Sequence, residues 1–439
     1  MNEVPNSAVI PAALPPDPLE RTVLSDPTAP AAPLLPAQPD GDTSEVVAAR
    51  AAMVARLEES GALGPGPVRE ALLALPRQLL MPQAYVRRSA PDETPPRWDL
   101  LDFSRPADRK ELLERLHSGD SVAIQHDGEP ILGRHPGPRR GGVMTAMSST
   151  MGLTAGLLQQ LDLRPGQRAL DVGTGAGVTA AAACFVCGDE GVVTLDIDPH
   201  VTAAARARLS ALGYRPATVT GDGTTGWPDT GPYDRIFVSF AVPRVPQALV
   251  DQLAPGGRAL MTLGTSSPSW PGLAVIERRT DGNVEGRLRA VEFGHRGGAG
   301  FDRLFLSAAF RAEITTADGW TQRSMLAPPP DTARGLWLAL DHLYPGLVRH
   351  FGAEDLTIGA PACRSWMRVR AVSHRRWEVT MSGPRDIWAE IQDVAGRWRA
   401  AGVPDVFRLH FDADGGQRAT SPNGTLTWQL SPGETGDAR

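Results

Sequence analysis

The chain has 439 residues, of which 41% are hydrophobic and 21% charged, and this size and composition allow two or three globular domains. A formal net charge of -6 offers no basic surface to a polyanion, so nucleic acid is not an expected partner. No apolar run approaches the roughly 18 residues that span a bilayer, a secretory signal pattern is missing, and three cysteines make no disulfide framework, so we expect a cytoplasmic protein without a membrane partner.

The first part of the chain predicts a tail followed by short helices. Residues 1–43 are rich in proline and alanine and show no apolar periodicity, so we expect a disordered tail. Residues 44–142 predict a mainly helical N-terminal region, with Ser44 as the cap of its first helix. The predicted elements are helices at 44–59, 67–75 and 108–118, an extended segment at 76–82, a strand at 121–125 and a loop at 136–142.

A glycine-rich turn after a buried strand indicates a ligand-binding site. Residues 168–180 read RALDVGTGAGVTA, so the strand leads into Gly173, Gly175 and Gly177 and then into a helix. Backbone N–H groups at a helix start face a ligand, which approaches closely because glycine has no Cβ. The G-x-G-x-G spacing and the preceding Asp171 differ from a pyrophosphate cradle and suit S-adenosyl-L-methionine, which carries an ammonium group and no phosphate. A plain strand–helix turn is the alternative for this motif by itself.

Two further acids end the next predicted strands. Asp196 ends a strand at 191–198, roughly 20 residues past the turn, where an acid that binds ribose is expected in a β-α-β unit. Asp222 follows a strand at 216–220 and is expected, with Gly223, to hold the adenine amino group. The turn and Asp171 are expected to hold the methionine end. The predicted cofactor-binding residues are Asp171, Gly173, Thr174, Gly175, Gly177, Asp196, Ile197, Asp222 and Gly223.

These elements predict an α/β chain built around a Rossmann-like class I methyltransferase domain at 143–310. Further strands of its sheet are predicted at 232–240 and 253–261. An additional α+β domain is predicted at 311–439 as a region of peptide recognition. Its predicted elements are strands at 377–380 and 407–411, a helix at 386–399 and a hairpin near 425–428.

Several of these segments together resemble the protein-L-isoaspartate O-methyltransferase family. The resemblance is carried by RALDVGTGAG, VTLDID, TGDGTTGW, PYDRIFVSFAVPRVP and LAPGGRALMTLG, and upstream by LPRQLLMPQAY and SGDSVAIQHDG. It covers approximately residues 45–265. It implies methyl transfer from S-adenosyl-L-methionine to a carboxylate of a peptide or protein substrate that bears aspartate or isoaspartate.

One departure from the family concerns the acceptor pocket. The family has a Thr-Ile-Ser segment whose serine hydroxyl helps to hold the isoaspartyl carboxylate. Thr145 matches that threonine, whereas Met147 stands at the serine position. Either the hydroxyl has moved to Ser148 or Ser149, or the acceptor is held differently; the two serines are alternatively helix caps. Thr145, Ser148 and Ser149 are therefore the catalytic candidates, and residues 239–242 are expected to line the same pocket.

The second departure is the long C-terminal part. It looks like the extension of an actinobacterial branch of the family, which is associated with ribosomally synthesised, post-translationally modified peptides. That resemblance implies esterification of one aspartate in a constrained precursor peptide, leading to aspartimide or isoaspartate. A general isoaspartyl repair enzyme is the first alternative, and a non-catalytic module that binds cofactor or peptide is the second.

The chemistry implied asks for positioning and exclusion of water, because a carboxylate is already ionised at neutral pH. The scattered histidines, His126 and His135 among them, are therefore expected to be structural. Cys184 and Cys187 form a C-x-x-C that suits a redox pair or half a metal site, or two small residues on the buried face of a helix. No other ligands complete a metal set, so no metal is expected.

Overall fold

The computed structural model describes residues 43–90, 93, 95–264, 272–291, 306–351, 355–373, 375–412 and 415–430. The predicted disordered tail, apart from Thr43, lies outside these residues. The chain separates into two compact units, Met1–Phe237 and Val238–Arg439. None of the helices in the described ranges has the length and apolarity needed to cross a membrane.

The first unit begins with short helices. They are α1 (Ser44–Glu59), α2 (Pro67–Ala74), α3 (Arg77–Leu80) and α4 (Pro106–His117). The cap of α1 is Thr43 and not the predicted Ser44, since the Thr43 hydroxyl accepts the Val46 N–H. The extended segment predicted at 76–82 is also wrong. Pro76 precedes α3 as its cap, and the four residues of α3 form one helical turn before Pro82.

A five-stranded antiparallel sheet accompanies these helices, so the N-terminal region is less helical than predicted. Its strands are β1 (Gln83–Arg87), β2 (Arg97–Asp102), β3 (Val122–His126), β4 (Gly137–Arg140) and β5 (Met144–Ser148), in the order β4-β2-β1-β3-β5. The loop predicted at 136–142 is wrong, because β4 pairs with β2. Pro138 is tolerated there since β4 is an edge strand. The strand predicted at 121–125 is confirmed as β3.

The remainder of the first unit is the predicted Rossmann-like arrangement. Helix α5 (Met151–Leu161) leads into an alternation of strands and helices: β6 (Ala169–Val172), α6 (Val178–Cys187), β7 (Val192–Asp196), α7 (Pro199–Ala211) and β8 (Ala217–Thr220). Strands β6, β7 and β8 are parallel neighbours. The start of β9 (Tyr233–Val242) lies on the other side of β6. The α/β fold of the class I methyltransferases is therefore confirmed.

Helix α6 contains both cysteines of the C-x-x-C pair. Cys184 and Cys187 are both buried and neither forms a disulfide. Burial raises the pKa of the Cys187 thiol to about 11 and raises the pKa of Cys184 further, so both stay as thiols at neutral pH. The interpretation of two small residues on a buried helix face is confirmed.

The second unit contains an antiparallel sheet that draws on both sides of the predicted domain boundary at 310. Helix α8 (Gln247–Asp251) precedes β10 (Leu253–Leu263), β11 (Gly272–Arg278) and β12 (Val284–Ala290). Next to β12 lie three late strands, β18 (Val406–Phe411), β19 (Gln417–Thr420) and β20 (Thr427–Gln429). The buried Gln417 amide also binds both backbone groups of Val245 at 2.9 and 2.7 Å. These three strands therefore extend a sheet and do not belong to a separate one.

A second antiparallel sheet of this unit lies between those segments in the chain. Its strands are β13 (Trp320–Ser324), β14 (Val348–Phe351), β15 (Asp355–Ala360), β16 (Ser365–Ser373) and β17 (Arg376–Ser382), in the order β13-β17-β16-β15-β14. The helices are α9 (Ala308–Thr316), α10 (Arg334–Leu343) and α11 (Ile387–Ala400), and Asp386 caps α11. A fully buried ion pair between Asp341 and Arg349 joins α10 to β14.

Candidate cofactor and acceptor site

The predicted cofactor-binding residues meet at one edge of the parallel strands. Strand register pairs Val172 of β6 with Leu195 of β7, and Asp196 of β7 with Thr220 of β8. All three strands run in the same direction, so their carboxyl ends and the turns after them lie side by side. This edge is where ligands bind in open α/β sheets.

The glycine turn has a backbone that only glycine adopts without strain. Gly173, Gly175 and Gly177 have φ angles of 91°, 48° and 79°. A Cβ on Gly175 would lie 2.7 Å from the carbonyl oxygen of Met147 in β5. The turn therefore packs directly against β5 at Gly175, with no space for a side chain there.

Asp171 lies beneath the turn. Its carboxylate accepts hydrogen bonds from the hydroxyls of Thr179 at 2.7 Å and Thr194 at 2.8 Å, and the residue is 3% exposed. Thr194 is in turn 2.7 Å from the hydroxyl of Thr174 in the glycine turn. Burial raises the pKa of Asp171 to about 7. Asp171 is therefore connected to the glycine turn through Thr194 and Thr174, and its role at the methionine end stays a prediction.

Asp196 faces the turn from the end of β7. Its Oδ2 accepts the Gly175 N–H at 3.1 Å, and its Oδ1 accepts the Asp198 N–H at 3.1 Å. Burial raises the pKa of Asp196. The next side chain, Ile197, is 66% exposed, which is unusual for a large apolar residue beside a polar edge. A carboxylate next to an exposed apolar side chain suits a ribose with an attached base.

The third acid, Asp222, lies on the turn after β8. Its Oδ1 accepts the backbone N–H and the hydroxyl of Thr224, both at 2.8 Å. Asp222 is exposed, whereas Gly223 is buried. The preceding Gly221 donates its N–H to the Asp196 carbonyl at 2.9 Å, which ties this turn to the ribose edge.

Strand β5 carries the predicted acceptor residues on two opposite faces. Side chains alternate along a strand, so Thr145 and Met147 share one face and Ser148 lies on the other. The Ser148 side chain is 5% exposed and accepts a hydrogen bond from the buried Arg77 guanidinium at 3.1 Å. Ser148 therefore lies on the face of β5 opposite Thr145 and Met147, because a shift of one residue reverses the face, and its catalytic role stays a prediction.

The other acceptor candidates have different surroundings. Ser149 follows β5 and is half-buried. Neither it nor Ser148 caps α5, since the cap position is Thr150. The Thr145 hydroxyl donates to Gln125 Oε1 at 2.7 Å and accepts the Gly128 N–H at 3.1 Å. Residues 239–242 are the last four of β9 and belong to the second unit.

Two polar residues near the site were not predicted from the sequence. Asp198 caps α7, and its carboxylate accepts the His200 N–H at 2.7 Å and the Gln125 amide at 2.7 Å. The signal for Asp198 was present, because an acid directly before Pro199 is a typical start of a helix. For Gln125 the sequence carries no such signal, since its side-chain partners Thr145 and Asp198 are 20 and 73 residues away.

The residues at this edge fit S-adenosyl-L-methionine. The turn admits close approach of a ligand because its glycines lack Cβ atoms, and Asp196 and Ile197 suit the ribose and the base. Nothing at the edge resembles a metal site, since the described residues contain no group of three His, Cys, Asp or Glu that would hold an ion. His126 contacts the carbonyl of Gly141 at 2.9 Å, which is a structural contact.

Known proteins match this part of the chain. A profile described as Protein-L-isoaspartate(D-aspartate) O-methyltransferase (PCMT) matches residues 141–293, which include the turn and all three acids. Protein-L-isoaspartate O-methyltransferase 2 of Archaeoglobus fulgidus is 38% identical over 155 residues, covering 34% of this chain and 68% of the relative. The Hyperthermus butylicus protein-L-isoaspartate O-methyltransferase is 30% identical over 249 residues, covering 54% of this chain and 84% of the relative. A solved protein-L-isoaspartate O-methyltransferase has a TM-score of 0.47 and 19% identity, covering 85% of this chain and 99% of that chain.

Both relatives are matched over more than two thirds of their own length. Together with the sheet edge described above, these matches show that the chain belongs to the protein-L-isoaspartate O-methyltransferase family of S-adenosyl-L-methionine-dependent enzymes.

Proposed function

We propose that this protein esterifies the side-chain carboxylate of an aspartate in a ribosomally made precursor peptide. The observation that carries the proposal is the composition of one face of β5, the strand whose Met147 carbonyl lies against the glycine turn. That face presents Thr145 and Met147, and the Thr145 hydroxyl already binds Gln125. A pocket that offers one engaged hydroxyl and a thioether favours an acceptor held largely by its own peptide conformation. A constrained peptide meets that requirement better than a flexible isoaspartyl chain.

The strand ends supply binding and orientation. Asp196 is proposed to accept hydrogen bonds from the ribose hydroxyls, and Ile197 to pack against the base. Asp222 and Gly223 are proposed to hold the adenine amino group. The turn that begins at Gly173 is proposed to hold the methionine end, and the buried Asp171 would support it from below.

Transfer needs no acid or base from the protein. When bound, S-adenosyl-L-methionine supplies a methyl group on a sulfonium, to which a carboxylate oxygen bonds as the carbon–sulfur bond breaks. Opposite charges are neutralised in that step, so exclusion of water promotes it. The buried residues around the turn provide this apolar surrounding, and the half-buried Met147 is proposed to add to it. Orientation of the two reactants is the main task of the chain.

The ester product has its own reactivity. The backbone nitrogen after the esterified aspartate attacks the ester carbonyl carbon and expels methanol, which closes a five-membered aspartimide. Relative to the original aspartate, the peptide has then lost one water. Addition of water to the ring gives isoaspartate or aspartate. No side chain of this protein is required for ring closure.

The sheet β13–β17 is proposed to recognise the peptide. Its register aligns a polar row across four strands, formed by Thr321, Thr380, Arg368 and Thr357. These side chains lie on the face opposite the buried Val379 and its neighbours. Thr321 is exposed and the other three residues are half-buried, and a polar row with a cation suits an acidic peptide.

Arg368→Ala should raise the KM for the precursor peptide several-fold and leave the KM for a short linear peptide unchanged.

Mass spectrometry tests the proposed function. The purified protein is incubated with S-adenosyl-L-methionine and the precursor peptide encoded next to its own gene. The expected result is a gain of one methylene at one aspartate, followed by net loss of one water. The Asp196→Ala variant is the matched control and should need a higher concentration of S-adenosyl-L-methionine to give the same mass changes. No mass change in any neighbouring peptide would contradict the proposal.

General isoaspartyl repair is the second candidate, favoured by the names of both relatives in the family. It predicts efficient methylation of short linear isoaspartyl peptides. The ratio of kcat/KM for a linear isoaspartyl peptide to that for a cyclised aspartyl peptide separates the two. A ratio well above one supports repair, and a ratio well below one supports the precursor peptide.

A further inference from the structure

Gln125 on β3 contacts both halves of the site. The residue is 1% exposed. Its amide nitrogen donates to Asp198 Oδ2 at 2.7 Å and to the Glu129 carbonyl at 3.0 Å. Its amide oxygen accepts the Thr145 hydroxyl at 2.7 Å. One buried side chain therefore joins the acceptor strand to the loop that follows the ribose acid.

The backbone around Gln125 departs from a regular strand. The pairing of β3 with β5 shifts register on both sides of it, between Ala123 and Gln125 and again between Gln125 and His126. Ile124, Gln125 and His126 are buried in succession, which breaks the usual alternation. Bulges of this kind re-aim a side chain and occur next to active sites. Here the bulge directs an amide into the interior towards Asp198.

The chain of hydrogen bonds continues from Asp198 to the glycine turn. The Asp198 N–H donates to Asp196 Oδ1 at 3.1 Å, and Asp196 Oδ2 accepts the Gly175 N–H at 3.1 Å. Asp198 is also held by its capping bond to the His200 N–H. A displacement of the Asp196 carboxylate on binding ribose is therefore passed to Asp198 and from there to Gln125.

At the other end, the Thr145 hydroxyl has one hydrogen and gives it to Gln125. It accepts the Gly128 N–H as well, so it has no hydrogen to offer to a substrate carboxylate in this state. Donation to a substrate requires Gln125 to release Thr145. The state of the cofactor loop, through Asp198 and Gln125, therefore decides whether that hydroxyl is available.

We propose that Gln125 is a positioning residue that couples occupancy of the cofactor loop to the acceptor strand β5. The assignment of β5 to the acceptor rests on the proposed function, whereas the hydrogen-bonded connection does not. Binding of S-adenosyl-L-homocysteine, the demethylated cofactor, should therefore alter the acceptor strand before any peptide is present. This consequence separates the inference from the identity of the substrate.

Hydrogen exchange read by mass spectrometry tests the coupling on the full-length protein. Addition of S-adenosyl-L-homocysteine to the wild type should change exchange in residues 122–148 as well as in 169–200. In Gln125→Leu the change in 169–200 should remain and the change in 122–148 should disappear. Calorimetry should show S-adenosyl-L-homocysteine binding weakened by about 2- to 30-fold, the range expected for residues along a coupling network.

Rescue distinguishes coupling from general destabilisation. Gln125→Glu places two carboxylates together, whereas Gln125→Glu with Asp198→Asn exchanges donor and acceptor, and asparagine still caps a helix. The double variant should regain the transmitted change that Gln125→Glu lacks. Gln83→Leu is the matched control, because Gln83 donates to Asp102 at 2.7 Å in the same sheet. It should leave the transmitted change intact.

Thr145→Val keeps the test decisive if Gln125 variants fold poorly, since it removes the other end of the connection. It should abolish the transmitted change in residues 122–148 with little effect on S-adenosyl-L-homocysteine affinity. A full transmitted change in Gln125→Leu or in Thr145→Val would overturn the proposal. So would failure of the double variant to exceed Gln125→Glu. A precursor peptide that is never methylated would contradict the proposed function and leave these outcomes unaffected.

Discussion

Replacement of Asp171 by asparagine removes a buried acid and keeps the shape of the side chain. The asparagine oxygen still accepts one threonine hydroxyl, and its NH₂ group donates to the other hydroxyl, which rotates to accept. The ionised carboxylate is disfavoured in the folded protein because burial raises its pKa from 3.8 to about 7. The substitution therefore isolates the cost of that one charge beneath the glycine turn.

The sign and size of the pH effect on the free energy of unfolding follow from the pKa values of Asp171 in the unfolded and folded states. Between pH 4 and 7 the folded protein binds a proton at Asp171 that the unfolded chain has already lost. The free energy of unfolding therefore falls as pH rises through this window and levels off above it. Taking 3.8 and about 7 for the two states, the wild type should lose about 2 to 3 kcal/mol from pH 5 to pH 8 through this group. Asp171→Asn should not show this loss.

Native-state hydrogen exchange of β6 and α6 measures the opening free energy around Asp171. Unfolding of the second unit therefore does not contribute to the measured value. The opening free energy of Asp171→Asn minus that of the wild type should rise by about 2 to 3 kcal/mol between pH 5 and pH 8. Thr179→Val is the control with a predicted sign, because the Thr179 hydroxyl lowers the pKa of Asp171. Its loss should steepen the pH dependence. A difference between Asp171→Asn and wild type that stays constant from pH 5 to pH 8 would refute the reasoning.

Three other substitutions test the site. Gly175→Ala should abolish detectable S-adenosyl-L-homocysteine binding by calorimetry, because its Cβ would lie 2.7 Å from the Met147 carbonyl at a φ of 48°. Asp196→Ala should weaken the same binding by about 1–3 kcal/mol, and an unchanged Kd would contradict the ribose assignment. Ser148→Ala should lower stability in chemical denaturation by about 1–3 kcal/mol, since it removes an acceptor of the buried Arg77. It should leave kcat/KM per folded molecule unchanged, so a selective loss of kcat/KM would restore Ser148 as a catalytic candidate.

The residues at the cofactor edge could be predicted from the sequence because their arrangement depends on local sequence patterns. A short apolar strand, glycines at fixed spacing and an acid after the next strand each occupy a few consecutive residues. The rule that parallel strands end together then places Asp196 and Asp222 beside the turn without further information. The helix over Val178–Cys187 was predicted with the bounds that the structure has. Nothing in these elements requires knowledge of distant contacts.

The N-terminal sheet was not accessible in the same way. Strands β4 and β5 have four and five residues and lie in a segment rich in glycine and proline. Such a segment reads as a loop, because its pairing with β2 and β3 is decided by residues far away in the chain. The same reason applies to Ser148. Its buried partner Arg77 is 71 residues earlier, so its face could not be read from the local sequence.

The alternation of side chains along β5 connects the N-terminal sheet and the position of Ser148 to the proposed binding of the acceptor. A strand presents alternate side chains, so if the face of Thr145 and Met147 holds the acceptor, as proposed, Ser148 cannot replace a hydroxyl at the position of Met147. The bulge in β3 then matters, because it brings the Gln125 amide to the single hydroxyl that remains. That hydroxyl is thereby connected to Asp198 and the cofactor loop. The two proposals thus depend on the same strand geometry: if the coupling test shows that the cofactor loop controls Thr145, a substrate that arrives already shaped for the site is the one that the β5 face favours.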